Sequence, residues 1–584
     1  MKYKKYSLLS PIETTDYKLL PQATMHDLGL DTICKDLSAK ENEQKYIMKV
    51  LSKIYAAPEI TEYRLGVFED ILSDKKLRDD ILEILNRINF LRNYGSFNRE
   101  YDEHTGIWDL MHRLDEISDY IKCVDALHDC LNSHRIHSKG LNGLKSYVED
   151  IYLNNGFESL KKDILSLKSD TSSLKSITVG INLNERFEAA GVGLISINNK
   201  YFTKSSALSN FFDHLSSREK IHQDTDWQKT YKFHPFSFQK PEKSNSSLMQ
   251  FQSSTKSSAD ASEKGLLSIP DTDAPKEITH YTDQIVNQML SGLVKRLKDI
   301  LNKYVSITIT DMTDLIPELM YYIRFAEYIE RLQNNGFVFS KPSIHKTDSD
   351  EEASCAAFMC AREVYNIKLV SSSAKRTDSI VTNDLDFDKE HRIYLLTGAN
   401  RGGKTTITQA IGQLFVLAQG GIYIPGRRFE FSPVDCIYTH FPADEDKTLD
   451  LGRLGEECKR FREIYEQAAA QSLLLLNETF STTSFEEGYY IARDSVRAIR
   501  AKGIRTIYNT HMHKLAFDIQ EMNQDAKNAQ DARIYSLVVR SEGSERSYKI
   551  ELASPSGKSF ASDIAEKYGV TYEMLTGSLR NPCS

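Results

Sequence analysis

At 584 residues the chain is too long for one hydrophobic core, and its 40% hydrophobic and 27% charged content is that of an ordinary globular protein of about three or four domains. A net charge of -8 excludes a uniformly basic nucleic-acid coat but leaves room for a local basic face. No apolar run approaches the roughly 20 residues needed to cross a bilayer, and no apolar signal core follows the basic start at Met1, so a cytoplasmic chain with no membrane partner is expected.

Residues 37–170 read as long helices. Glycine and proline are sparse there, and apolar residues recur at helical spacing, as in Ile81, Leu82, Ile84, Leu85, Ile88 and Leu91. Near Ser176 the texture changes. Residues 177–183 and 193–197 carry β-branched residues in partial alternation, broken by Glu185, Arg186, Gly191 and Gly193, which predicts a small hairpin. Its flank holds Lys200, Lys204, Arg218, Lys220, Lys229 and Lys232, which suit phosphate contacts, although acidic neighbours fit an ordinary solvated surface equally well. Residues 235–277 are dominated by Ser, Lys, Pro, Asp and Ala and predict a flexible insert. Helical periodicity returns over 281–333, where Leu315, Leu319, Tyr322, Ile323, Ala326, Ile329 and Leu332 share one face.

From about 360 strands and helices alternate, which predicts a mostly parallel sheet. Strands are read at 392–397, 434–439, 473–476 and 506–509, and helices at 404–418, 456–471 and 485–502. The unbroken Leu473 to Leu476 run suits a buried central strand. The 8 cysteines, at positions 34, 123, 130, 355, 360, 436, 458 and 583, form no CxxC pair and stand at no zinc spacing from histidines, so reduced thiols in cores are expected.

Gly398-Ala399-Asn400-Arg401-Gly402-Gly403-Lys404-Thr405 fits the Walker A spacing and sits between a predicted strand and a predicted helix. The glycines let successive N–H groups turn inward on phosphate oxygens, and the following helix adds its positive end. Lys404 supplies a charge to the outer phosphates of ATP, and Thr405 a hydroxyl to Mg2+. The second half of such a site needs a carboxylate at a neighbouring strand end. Glu478 is placed to orient or activate water, and Asn477 stands where an aspartate usually helps to hold magnesium. Asparagine keeps an acceptor oxygen but loses the charge, which predicts weaker metal binding and slow turnover. His511 ends the segment Arg505 to His511, which carries the 506–509 strand. By position alone such a histidine is more often a polar cap, and His513 is a weaker candidate still. Arg427 and Arg428 read as surface charge.

Together these segments resemble the MutS mismatch-repair family. Residues 396–406 are similar to its TGPNMGGKST loop, and 477–484 to its DEIGRGTS segment with the Asp replaced. Asn509-Thr510-His511 is similar to its ATH motif, and Gly421-Ile-Tyr-Ile-Pro425 to its GxYVPA stretch. Glu62-Tyr-Arg-Leu-Gly-Val-Phe-Glu-Asp70 resembles part of the family's helical core, and Gly557-Lys-Ser-Phe560 its C-terminal helix–turn–helix. The resemblance implies a multi-domain chain with an all-α core and lever helices, a small β-containing clamp insert, and an α/β P-loop ATPase domain of ABC type ending in a helix–turn–helix. The segments implied are a core at 1–173, a clamp at 174–234, a linker at 235–280, levers at 281–340, the ATPase at 341–545 and a dimerisation segment at 546–584.

The resemblance also implies ATP and Mg2+ as cofactors. The loop Gly398 to Thr406 would bind phosphates, Ile380, Val381 and Asn383 would lie near the adenine, Thr405, Asn477 and Glu478 would be at the metal, and Glu478 and His511 would be catalytic. It implies a homodimer whose ATP state opens and closes a clamp on double-stranded DNA in repair or recombination, with repair proteins as partners, nucleoid-associated if bacterial. Three departures matter. The chain opens on core-like helices without the family's Phe-x-Glu mismatch-reading module, so a branched DNA is favoured over a single mismatch. Residues 452–457 lack the Ser-Thr pair of the family's dimer-crossing loop, and no nuclease segment follows the last helix. Two other readings remain open: a nucleotide-gated binding protein with negligible hydrolysis, and a chromosome-clamping ATPase, against which the missing LSGG-like signature and short helical arms weigh.

Overall fold

The computed structural model describes residues 6–11, 16–94, 107–153, 155–172, 176–186, 189–198, 234–235, 291–303, 315–345, 358–371, 380–398, 402–442, 452–482, 484–524, 532–542, 545–555 and 568–577. The insert expected at 235–277, the basic residues expected between 200 and 232, and the 557–560 segment lie outside the described residues, apart from Pro235. The chain divides into two compact units. One comprises residues 1–86, 127–148 and 310–584, the other residues 87–126 and 149–309.

The second unit holds helices Asn155–Ser172 and Ser291–Lys303 and an antiparallel hairpin, Ser176–Leu183 with Ala189–Asn198, which His234–Pro235 extends. The hairpin lies where its alternation placed it. Lys161 anchors its helix through Asp125 at 2.7 Å and through the faces of Tyr152 and Phe157.

The first unit begins with a helical body: α1 (Leu30–Leu37), α2 (Glu41–Leu51), α3 (Pro58–Ser73) and α4 (Leu315–Asn334). Pro58 opens α3, where its missing N–H costs nothing. The apolar face predicted for α4 is buried from Leu315 to Leu332. The rest is built on two sheets. Strands β1 (Ser343–Ile344), β2 (Met359–Val364), β3 (Asn383–Phe387) and β5 (Arg428–Phe431) form a four-stranded sheet in the order β1-β5-β2-β3. Strands β4 (His391–Thr397), β6 (Ile437–His440), β7 (Leu473–Asn477), β8 (Arg505–Asn509), β9 (Arg533–Glu542) and β10 (Glu545–Leu552) form the larger sheet, in the order β6-β7-β8-β4-β9-β10. Its first five strands run parallel, and β10 pairs antiparallel with β9. Helices α5 (Lys404–Gln419), α6 (Gly452–Gln467) and α7 (Phe485–Lys502) connect these strands. Residues 545–552, which the sequence reading assigned mostly to a helical segment, thus extend the sheet edge, in keeping with the alternation of Tyr548, Ile550 and Leu552. Residues 452–457, read as a loop, form the first turns of α6.

Helix α5 joins the sheet to the helical body. It is buried from Ile407 to Gln419 apart from Gln409. At its C-terminal end Gln419 donates to the carbonyls of Tyr55 and Val434, each at 2.8 Å, and accepts from the Val434 N–H at 3.1 Å. The buried Arg64 of α3 donates to the Gln419 carbonyl at 3.1 Å and to that of Leu9 at 2.7 Å. Tyr321 of α4 donates to the Gly420 carbonyl at 2.9 Å. Gly421 closes the turn at φ 80, and a Cβ there would stand 2.2 Å from Arg64 Cβ. Gly421→Ala therefore combines a strained backbone with a collision against buried atoms, and denaturant unfolding of this variant should show a loss of about 1–3 kcal/mol. No helix among the described residues is long and apolar enough to cross a membrane.

Candidate functional site

The candidate site lies beyond the carboxyl ends of β4, β7 and β8, where the loops of a parallel sheet converge. Register brings the groups together: Asn477 pairs with Asn509 across β7 and β8, and Leu396 pairs with Asn509 across β4 and β8. Gly398 follows β4 with φ 141, and Gly403 precedes α5 in the left-handed region with φ 89. A Cβ on Gly398 would meet Val539 Cβ at 3.0 Å, and one on Gly403 would meet the Tyr548 ring at 3.2 Å. Glycine is thus required at both ends of the loop, for conformation and for space. Ala399, Asn400 and Arg401 lie outside the described residues.

A cavity of about 720 Å³ opens over this loop. Gly402, Gly403, Lys404, Thr405, Thr406, Glu478 and His511 line one side, and Val381, Asn383 and Tyr548 line another. Ile380, the remaining sequence-predicted residue, is half-buried and does not line it. Asn383 is buried with both amide groups engaged. Its Nδ2 donates to the Tyr548 carbonyl at 3.1 Å, and its Oδ1 accepts from the Ile550 N–H at 2.8 Å. Its role is to fix β10 beside the loop, and so to hold Tyr548, which has φ 57, over Gly403.

Lys404 is almost wholly buried and donates to the Gly398 carbonyl at 3.0 Å. Burial lowers its pKa to about 8, against the opposing attraction of Glu478. A cationic group kept from water at the N-terminus of a sixteen-residue helix suits an anion. Thr405 donates its hydroxyl to Asn477 Oδ1 at 3.0 Å and accepts from Asn509 Nδ2 at 3.3 Å. Asn509 Nδ2 also donates to Asn477 Oδ1, while Asn509 Oδ1 is buried with no hydrogen-bond partner among the described residues. That orphaned carbonyl oxygen, in an amide whose Nδ2 bonds the Thr405 hydroxyl, is an oxygen donor of the kind a magnesium shell takes, as is the hydroxyl itself. Beyond it Glu478, at φ 52, holds its Oε1 2.7 Å from His511 Nε2. The strained backbone turns this carboxylate from the sheet end into the cavity. His513 stands aside, its pKa lowered by burial and by the neighbouring His511 and Lys404.

Asn509 and Tyr548 carry weight that sequence reasoning missed. Asn509 had only the Asn-Thr-His segment as a signal, and Tyr548 only a strand-like alternation. Neither shows from local pattern which loop it will face.

The lowered Lys404 pKa has a measurable consequence. A bound phosphate restores the ammonium, so above pH 8 binding of a nucleoside triphosphate must take up a proton. Affinity should fall as pH rises through 8, by up to about tenfold per unit. Calorimetry at pH 8.5 in buffers of different ionisation enthalpy should report net proton uptake, and Lys404→Met should abolish it.

Comparison with known proteins agrees with this geometry. A family model described as MutS domain V matches residues 394–571, and one described as MutS2 N-terminal domain matches residues 56–335. The chain is 30% identical over 238 residues to a DNA mismatch repair protein MutS of Prochlorococcus marinus, covering 39% of this chain and 25% of that protein. It is 30% identical over 199 residues to the MutS of Desulforamulus reducens, covering 34% and 21%. To an endonuclease MutS2 of Thermus thermophilus it is 27% identical over 195 residues, covering 33% and 25%. The matched stretches thus span about a quarter of these relatives or less. The two family matches, falling on the sheet that carries the phosphate loop and on the helices before it, show that the chain belongs to the MutS family.

Proposed function

We infer that the chain is an ATP-dependent DNA clamp of the MutS type, serving DNA repair or recombination, and that its ATPase site is the cavity over the 398–405 loop. One observation carries this reading: buried Lys404, Thr405 and the Glu478–His511 pair, at 2.7 Å, face one cavity at the ends of three parallel strands. The loop amides and Lys404 bind the phosphates, and the Tyr548 face and Val381 offer an apolar wall for the base. Thr405 and the Asn477–Asn509 pair hold the metal, which when bound shields phosphate charge and orients its oxygens. Glu478 accepts a proton from the attacking water, and His511 positions that carboxylate. The names of the relatives support DNA as the partner, and a branched or mismatched duplex is the form proposed. A second copy of the chain is the further partner. Tyr568, Val570, Tyr572, Met574 and Leu575 are all at least half exposed around the last described helix, Tyr572–Gly577, an apolar group of the kind that marks an interface.

Asn477 favours a second reading, in which nucleotide gates binding and hydrolysis is negligible. The amide offers a neutral oxygen that Thr405 and Asn509 already occupy. Steady-state hydrolysis by the purified protein, alone and with perfect, mismatched and branched duplexes, decides between the two. The clamp reading expects one DNA to stimulate turnover, loss of turnover in Lys404→Ala, and a fall of about 10²–10⁴-fold in Glu478→Gln. Equal, very slow turnover in wild type and Glu478→Gln would establish the gated binder instead. Nucleotide binding with no response to any DNA would overturn the clamp.

A further inference from the structure

Far along the chain from the nucleotide cavity, the first unit gathers an imidazole, a thiol and two carboxylates. Asp74 follows α3 and caps the next helix, Lys75–Tyr94, its Oδ1 accepting from the Leu77 N–H at 2.9 Å. Its other oxygen lies 2.8 Å from His134 Nδ1. On the opposite side of the ring, His134 Nε2 lies 3.0 Å from Asp80 Oδ2. Cys130 stands one turn before His134, in the last turn of helix Ile107–Ser133, which puts both on the same side. Donor atoms of Asp80, Cys130 and His134 all lie within 4.8 Å of one another. The His134 side chain is 7% exposed and that of Asp80 41%, so the cluster is walled by protein on one side and reachable from solvent on the other.

We propose that Asp80, Cys130 and His134 Nε2 form a three-ligand site for a divalent cation of the zinc class, with Asp74 holding the imidazole from behind. The donor set selects the class. A thiolate and an imidazole with one carboxylate suit a borderline-soft ion, whereas magnesium and calcium take oxygen donors. The geometry is close to what such an ion needs. Ligand bonds of about 2.0–2.1 Å at a tetrahedral angle set nitrogen and oxygen about 3.3 Å apart, a few tenths of an ångström beyond their present separation. The Asp74–His134 bond matches the carboxylate–imidazole support seen behind metal-bound histidines: it keeps the proton on Nδ1 and leaves the Nε2 lone pair for the cation. On binding, the Nε2 proton that His134 shares with Asp80 and the Cys130 proton both leave to solvent as the metal–nitrogen and metal–sulfur bonds form. Solvent at Asp80 supplies the fourth ligand. The site ties the ends of three helices that are otherwise joined there by hydrogen bonds. Sequence reading missed it because the ligands come from two segments about fifty residues apart, with no CxxC or paired histidines to mark them.

The test is a titration of the metal-stripped full-length chain with Co2+, reading the near-ultraviolet thiolate-to-cobalt charge-transfer band. A magnesium site at the phosphate loop has no thiol and cannot produce this band. The expected result is a band that saturates at one Co2+ per chain and is displaced by Zn2+. It should be absent in Cys130→Ser and at least tenfold weaker in apparent affinity in Asp80→Asn. Asp74→Asn should keep the band but weaken binding by about 10–100-fold. Circular dichroism checks folding. If the buried Cys130→Ser does not fold, the exposed Asp80→Asn decides by the same readout. No band in folded wild type, or a band of unchanged affinity in Asp80→Asn, overturns the proposal.

Discussion

The burial of α5 is the constraint on which the rest of the first unit depends. Sixteen residues, about 24 Å of helix, run with almost no exposed side chain from Lys404 at the cavity to Gln419 at the helical body. Such a helix cannot bend or shift without opening voids, because protein interiors are packed like organic crystals. Its N-terminus places backbone N–H groups and Lys404 at the phosphate loop. Its C-terminus is held by Arg64, Tyr321 and the Gln419 amide, all bonded to backbone. Along its length Gly412 admits Leu28 of the helical body and Leu475 of β7, whose side chains would stand 2.5 and 2.9 Å from a Cβ. A displacement of the loop is therefore expected to reach α3 and α4, which hold the other end of α5 through Arg64 and Tyr321. That rigidity is the physical basis for expecting nucleotide state to reach the helical body.

At the other end of the site the chemistry turns on an exchange of charge for neutrality. Where the family's segment has an aspartate, Asn477 offers one carbonyl oxygen, and that oxygen receives both Thr405 and Asn509. The amide pair satisfies itself without a cation, except for Asn509 Oδ1, which remains unpartnered among the described residues. Negative charge in the cavity thus rests on Glu478 alone among the groups lining it. A single carboxylate opposes the buried Lys404 and accepts the His511 bond, and in the function proposed it also serves water. The strained backbone at Glu478 and at Phe480, with φ 52 and 64, is the cost of aiming it there.

Much of the architecture was legible because local signals agreed with one another. The Leu473 to Leu476 run became β7, buried throughout. Helix α7 starts and stops where it was read, because Ser484 caps it and Gly503 ends it with φ 68. The loop glycines and Lys404 were readable because the Walker A pattern fixes both spacing and type. Boundaries were harder where polar residues carry no periodic stripe. Helix α6 was read at 456–471 but spans Gly452–Gln467. The three alanines that follow are good helix formers, yet the chain must turn there to enter β7, and Ser472 organises that turn by bonding Ala469 and Asp435. The roles of Asn509, Asn383 and Tyr548 were not legible, because each depends on pairing between strands far apart in sequence. Asn383 in particular was read as a neighbour of the base; it lines the cavity, and its amide is also bonded to β10, which no local pattern announced.

The most direct test of the central claim, that α5 links the loop rigidly to the helical body, is hydrogen exchange with and without magnesium-ATP. The account predicts slower exchange at both ends of α5 and in α3, including the backbone around Arg64, alongside protection of residues 402–406. Protection confined to the loop, with α3 and the 419–422 turn unchanged, would contradict it.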